Sequence, residues 1–224
     1  MNGRHIVRSY EEELALLRNK ILKMGKLARE QLLRAGETLL SRDSSSAEAI
    51  AAADTPINNL QQDIDRLTLS MLARRQPMAL DLRNIVSGLK MAADLERISD
   101  YAVNIARHTM DLNSADIQKP VEGIIHMVEW ANGMLEDVMS AYQENDPDLA
   151  RDVWYRDKAI DREYSRLLSE LRGFMTEESQ YAKPFTALLF VARCCERIGD
   201  HIQNLAEDVH FITTGKAYHG NQHE

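Results

Sequence analysis

The chain has 224 residues, 44% of them apolar and 28% charged, with a formal net charge of −8 and a sequence pI near 5.4. Such acidity repels a phosphate backbone, and no local basic patch offsets it, so nucleic acid is excluded as an expected partner. With ten glycines, five prolines, four Phe and two Trp, the composition points to a helical globular protein whose core is mostly aliphatic.

The first 25 residues carry Arg4, Arg8, Glu11, Glu12, Glu13, Arg18 and Lys20 without a long apolar run, which argues against a signal peptide. The longest apolar stretch, Ala187 to Ala192, is far short of the roughly 20 residues that span a bilayer. A soluble, cytoplasmic protein is expected, one that meets a membrane only through its partners. Cys194 and Cys195 are adjacent, diverge on a helix and have no other cysteine to pair with, so they are read as reduced core thiols.

From Tyr10 to Arg42, apolar residues recur in steps of three and four (Leu14, Leu17, Ile21, Met24, Ala28, Leu32, Ala35, Leu39), the period of an amphipathic helix. Ser44 to Ser46 interrupt it, and Ser45 with Glu48 has capping-box spacing for the next segment. That second segment reaches about Arg75, with Pro56 predicting a kink or a restart near Asp54. After Gln76-Pro77 a third helix is predicted from about Leu80 to Leu112. The turn-like stretch Asn113 to Pro120 then divides the chain. Three further helices are predicted over about Val121 to Gln143, Pro147 to Met175 and Pro184 to Thr214, with Asp146-Pro147 as cap and first-turn proline.

The two halves match. Glu96-Arg97-Ile98-Ser99-Asp100 recurs one hundred positions later as Glu196-Arg197-Ile198-Gly199-Asp200, while Asp54 and Asn58 fall on Asp157 and Asp161 with an offset of 103. The chain therefore reads as all-α, two copies of a three-helix unit: residues 1–113, residues 114–214, and a tail, 215–224, expected to fray. Helices of about 30 residues run about 45 Å and need extended partners to bury their stripes.

Each pentapeptide sets a glutamate and an aspartate four apart, on one helix face. The seams are Met91, Leu95, Ile98, Ala102 and Ile105 in the third helix, and Leu188, Val191, Cys195, Ile198, Ile202, Leu205 and Val209 in the sixth. At about 100° per residue the carboxylates lie almost opposite these seams, so they are expected to face outward. Ile85, Leu89, Ala92 and Val103 share that strip, which is the setting of a partly covered binding site and not of a plain charged surface.

Asp157 and Asp161 offer a second acidic pair beside Glu196 and Asp200, and four converging carboxylates call for a cation between them. The expected site is thus Asp157, Asp161, Glu196 and Asp200, with all-oxygen ligation that suits Mg, Ca, Mn or iron better than zinc. The first repeat supplies Asp54, Glu96 and Asp100, but Asn58 replaces the fourth carboxylate and predicts a weaker site. Arg97 and Arg197 follow the glutamates as neutralising neighbours, and His201 points about 100° away from Asp200. Catalytic residues are not expected: no nucleophile constellation or phosphate-cradling glycine loop is present. A ferritin-like metalloenzyme would need two Glu-x-x-His strings aimed into a core, and Glu207 to His210 is one. A plain structural bundle that binds partner helices is the remaining alternative.

Gln76-Pro77-Met78-Ala79-Leu80-Asp81-Leu82-Arg83, Asp94 to Asp100, Cys195 to Asp200 and Asp157-Lys158-Ala159-Ile160-Asp161 together resemble the PhoU family, regulators of bacterial phosphate uptake and signalling. The resemblance covers nearly the whole chain. It implies two three-helix bundles related by pseudo-symmetry, a homodimer, and a divalent metal on the acidic motifs: Mg, Mn, Fe or Zn. It also implies an adaptor that represses the phosphate-starvation response by linking the phosphate ABC transporter, through its ATPase, to a sensor histidine kinase. Asn58 and Ser99 are departures, at the fourth acidic position and at the glycine of the second copy.

Overall fold

A computed structural model describes residues 2–42, 48–50, 55–112, 118–177 and 182–218. Its long helices are α1 (Asn2–Ser41), α2 (Thr55–Arg75), α3 (Ala79–Thr109), α4 (Gln118–Glu144), α5 (Pro147–Glu177) and α6 (Ala182–Thr214), and a 3-10 turn, Met110–Leu112, follows α3. No strand occurs among the described residues.

Local chemistry sets the ends. Pro56 occupies the first turn of α2, where its missing N–H costs nothing; the kink or restart expected near Asp54 falls outside the described residues. Asp146 Oδ1 accepts the backbone N–H groups of Asp148 and Leu149 at 2.9 and 3.0 Å, capping α5 ahead of Pro147. Arg42, Asn145 and Gly215 take positive φ just past α1, α4 and α6, and their region of the chain turns back by hydrogen bonds to the last helical carbonyls, such as Gly215 N–H to Phe211 O at 2.9 Å. Ser45 and Asp54 lie outside the described residues.

Within each repeat the helices run up, down, up. Gly88 of α3 lies against Leu17 and Ile21 of α1, and further along Ser99 meets Gln31, so α1 and α3 are parallel. The repeats then join along two antiparallel seams, α1 on α4 and α3 on α6. Gly25 faces Met139 and Gly36 faces Val128, and these are the same contact repeated with the offset of 103 that aligns Asp54 with Asp157. Arg29 Nε donates to its own counterpart, Asn132, at 3.2 Å. Tyr101 and His201, also counterparts, bring their rings to 5.8 Å. Equivalent residues meet only near a two-fold axis, so these two contacts mark the pseudo-dyad.

The core runs through both halves without a break. Both predicted seams are fully buried. It is aliphatic as composition required, with Phe185 and Tyr142 as its aromatic members. Cys194 and Cys195 are free, buried thiols, and burial pushes Cys194 up to about 11 and Cys195 higher still. Residues 215–218 stay on the bundle: Tyr218 packs edge-on against Trp154, 5.3 Å between centroids.

Candidate functional site

The aspartates of the two pentapeptides stand outward as the seam predicts, but the glutamates do not. Because α3 and α6 are sandwiched between a first helix, a second helix and each other, each buries a broad arc and not a heptad stripe. On α3 the buried residues extend from Ile98 past Ser99 and Ala92 to Val103 and Ile85, which at 100° per residue spans about 140°. Glu96, at about 160°, sits on the rim of that arc. Its side chain is 19% exposed, whereas Asp100, a further step round, is 38% exposed. Glu196 and Asp200 repeat this at 14% and 38%. The outer flank of each rim is closed by the second helix of the repeat.

In the second repeat α5 brings Asp157 against α6. Asp157 is 3% exposed, and its Oδ1 is buried with no hydrogen-bond partner. It can lie there because position 199 is glycine: a Cβ at Gly199 would collide with that oxygen. Burial first, then the charges of Asp161, Asp200 and Glu196, push the Asp157 carboxyl up to about 7. Asp161 is exposed on the next turn, raised by its partial burial and by Asp200. Glu196 is raised by burial and Asp200, against the pull of Arg193 and Arg197. The fold therefore gathers Asp157, Asp161, Glu196 and Asp200 into one electrostatic unit.

Arginines hold two of the four. Arg193 Nη1 donates to Glu196 Oε1 at 2.6 Å, and Arg197 Nη1 donates to Asp200 Oδ2 at 3.0 Å. With the side chains so posed, no three carboxylate, imidazole or thiol groups among the described residues are arranged to hold a metal ion. Glu196 Oε2, 3.6 Å from Arg197 Nε, and Asp157 Oδ1 nevertheless remain buried without hydrogen-bond partners, two carboxylate oxygens from α6 and α5 that suit a hard cation.

The first repeat is built differently. Asp54 lies outside the described residues. Asn58 is half-buried on α2, Arg97 lies 3.7 Å from Glu96 Oε2 and donates to Asp100 Oδ2 at 3.3 Å, and Ser99 Oγ donates to buried Gln31 Oε1 at 2.7 Å. The hydroxyl is thus tied to the first helix of its repeat, where Gly199 offers no side chain. His201 turns from Asp200 to Asp94 of α3, Nδ1 to Oδ1 2.7 Å. Glu207 accepts from Trp154 Nε1 at 3.0 Å, while His210 lies beside Tyr218 at 5.0 Å, so the lone Glu-x-x-His string is spent on packing.

A PhoU domain model matches residues 21–109 and again residues 124–209. The chain belongs to the PhoU family. It is 39% identical over 213 residues to a Caulobacter vibrioides protein named phosphate-specific transport system accessory protein PhoU homolog, covering 95% of this chain and 93% of that protein. A Rhizobium meliloti protein of the same name is 34% identical over 223 residues, 99% and 94% of the two chains. The crystal structure of PhoU from Pseudomonas aeruginosa superposes with a TM-score of 0.89 at 35% identity, covering 92% of this chain and 100% of that one. The phosphate transport system regulatory protein PhoU from Streptococcus pneumoniae gives 0.87 at 28% identity, covering 94% and 99%. The duplicated fold read from the pentapeptides is therefore the PhoU architecture. Three features escaped the sequence reading: Arg193, the clearance at Gly199, and the Gln31–Ser99 bond. Arg193 alone had a local signal, three residues before Glu196 on the same helix.

Proposed function

We propose that this protein is a negative regulator of phosphate uptake and phosphate-starvation signalling, an adaptor between the ATPase of a phosphate ABC transporter and a sensor histidine kinase. The observation that carries the reading is end-to-end similarity, in sequence and in both repeats of the fold, to proteins named for phosphate-specific transport. It acts by binding and not by catalysis, in the cytoplasm and as a homodimer. No helix among the described residues is long and apolar enough to cross a membrane, which agrees with contact to a membrane through partners alone. The net charge of −8 gives long-range attraction to basic partner surfaces.

A divalent cation belongs to the same reading. Asp157, Asp161, Glu196 and Asp200 would hold it, and it would supply the charge compensation that their burial demands. An all-oxygen donor set favours Mg, Mn or Fe over Zn. Asp54, Glu96 and Asp100 form the first repeat's weaker counterpart.

Deleting the gene should raise phosphate-responsive transcription in phosphate-rich medium, and the intact gene should restore repression. An unchanged response removes the regulatory role. Purified protein mixed with the transporter ATPase and with the kinase's cytoplasmic part should bind both, and failure to bind either removes the adaptor.

A further inference from the structure

The second acidic site carries a cation of its own. Arg193 reaches forward along α6 to Glu196 Oε1 at 2.6 Å, and its guanidinium also lies over the Tyr164 ring of α5, 5.8 Å from the centroid. That side chain is 41% exposed, so it has room to leave. It engages one Glu196 oxygen only; the other, Oε2, lies 3.6 Å from Arg197 Nε, and neither that oxygen nor Oδ1 of Asp157 has a hydrogen-bond partner. At the matching positions of the first repeat stand Ala93 and Gln61, so the arginine and the ring beneath it are present together in one repeat and absent together in the other.

We propose that Arg193 sets the cation affinity of the second site: it competes with a divalent cation for Glu196, and Tyr164, already beneath its guanidinium, retains it when the cation displaces it. The inference rests on the cation-binding reading above and adds what controls it. A guanidinium beside Glu196 both occupies an acceptor oxygen and repels an incoming divalent ion. Occupancy must therefore break a charge-assisted hydrogen bond, the kind of contact whose loss shifts an equilibrium by about tenfold. The site so built fills at about tenfold higher cation concentration than it would without the arginine. The cation–π contact with Tyr164 keeps the displaced arginine on the protein at small cost.

The test is titration of the full-length chain with Mn2+, followed by isothermal calorimetry and by the electron paramagnetic resonance signal of free ion. Arg193→Ala and Arg193→Gln, the latter keeping the stem's packing, should each bind one Mn2+ about tenfold more tightly than wild type, or bind it where wild type does not. Arg193→Lys should stay near wild type because it keeps the charge. Asp157→Asn should abolish that ion in every background. If the two neutral variants fold, by circular dichroism, and bind no more tightly than wild type while Asp157→Asn still removes one ion, Arg193 is not a competitor and the cation site stands. Should wild type and neutral variants all bind no Mn2+ that Asp157→Asn removes, the site itself fails and this inference with it.

Discussion

The two repeats place the same pentapeptide in the same helix and finish it in opposite ways. In the second, a glycine leaves room for a buried aspartate from the neighbouring helix, and burial together with the neighbouring carboxylate charges raises the proton affinity of Asp157, Asp161 and Glu196. In the first, a serine stands at the glycine position and bonds to Gln31 of α1, a buried neutral pair. At position 199 the missing side chain is what lets a carboxylate be brought indoors. The matching contacts on the α3–α6 seam diverge in the same manner. Lys90 faces Asp208 at 3.6 Å, whereas their counterparts Phe190 and His108 stack at 5.1 Å.

The strongest way to break this comparison is to remove the charge of Asp157. Its carboxyl is lifted from 3.8 to about 7, so the stability it contributes is full below pH 3.8 and is lost as pH rises through 7. Without added metal, urea unfolding should show wild type losing more stability than Asp157→Asn between pH 4.5 and pH 8, by about 3 kcal/mol. Equal slopes would mean that Asp157 is not held as an uncompensated buried acid. Divalent cation added at pH 8 should recover the loss in wild type alone.

Next in size is Gly199→Ala, which drives a Cβ into Asp157. Overpacking of about 1–3 kcal/mol should outweigh the gain of about 1 kcal/mol from replacing a helical glycine. Gly133→Ala, where an added Cβ meets nothing within 4 Å, should keep that gain and melt higher than wild type. If both substitutions stabilise, the close fit at Gly199 is not a constraint.

The smallest effect sharpens the first-repeat side. Ser99→Ala leaves Gln31 Oε1 without the Ser99 hydroxyl and should cost about 1–2 kcal/mol in chemical denaturation. Combining it with Gln31→Met, the residue found at the matching position 134, should cost less than the single change, because neither partner is then left polar. A double variant weaker than Ser99→Ala would show that Gln31 holds more than this bond.

Much of this could be read before any fold was known. Six helices, the cap at Asp146 and the two buried seams follow from 3.6-residue periodicity and terminal chemistry, both of which act within a few residues. The outward placement of Glu96 and Glu196 did not survive, because a seam of one heptad pattern describes a helix with neighbours on one side. With neighbours on several sides, Ile85, Ala92 and Val103 are buried as well, and the glutamates become rim residues. Gln31 and Ser99 are 68 positions apart, and nothing along the chain links them.

The sequence by itself determined the helices, the duplication and the face on which each acidic group sits, since these depend on bond geometry and on spacing along the chain. Only the tertiary structure decided which acid loses its water. Desolvation depends on what stands across the gap, and for Asp157 that is the bare backbone of Gly199, a helix away. The acidic character of the site was written in the sequence, but its energetic asymmetry arises where α5 meets α6.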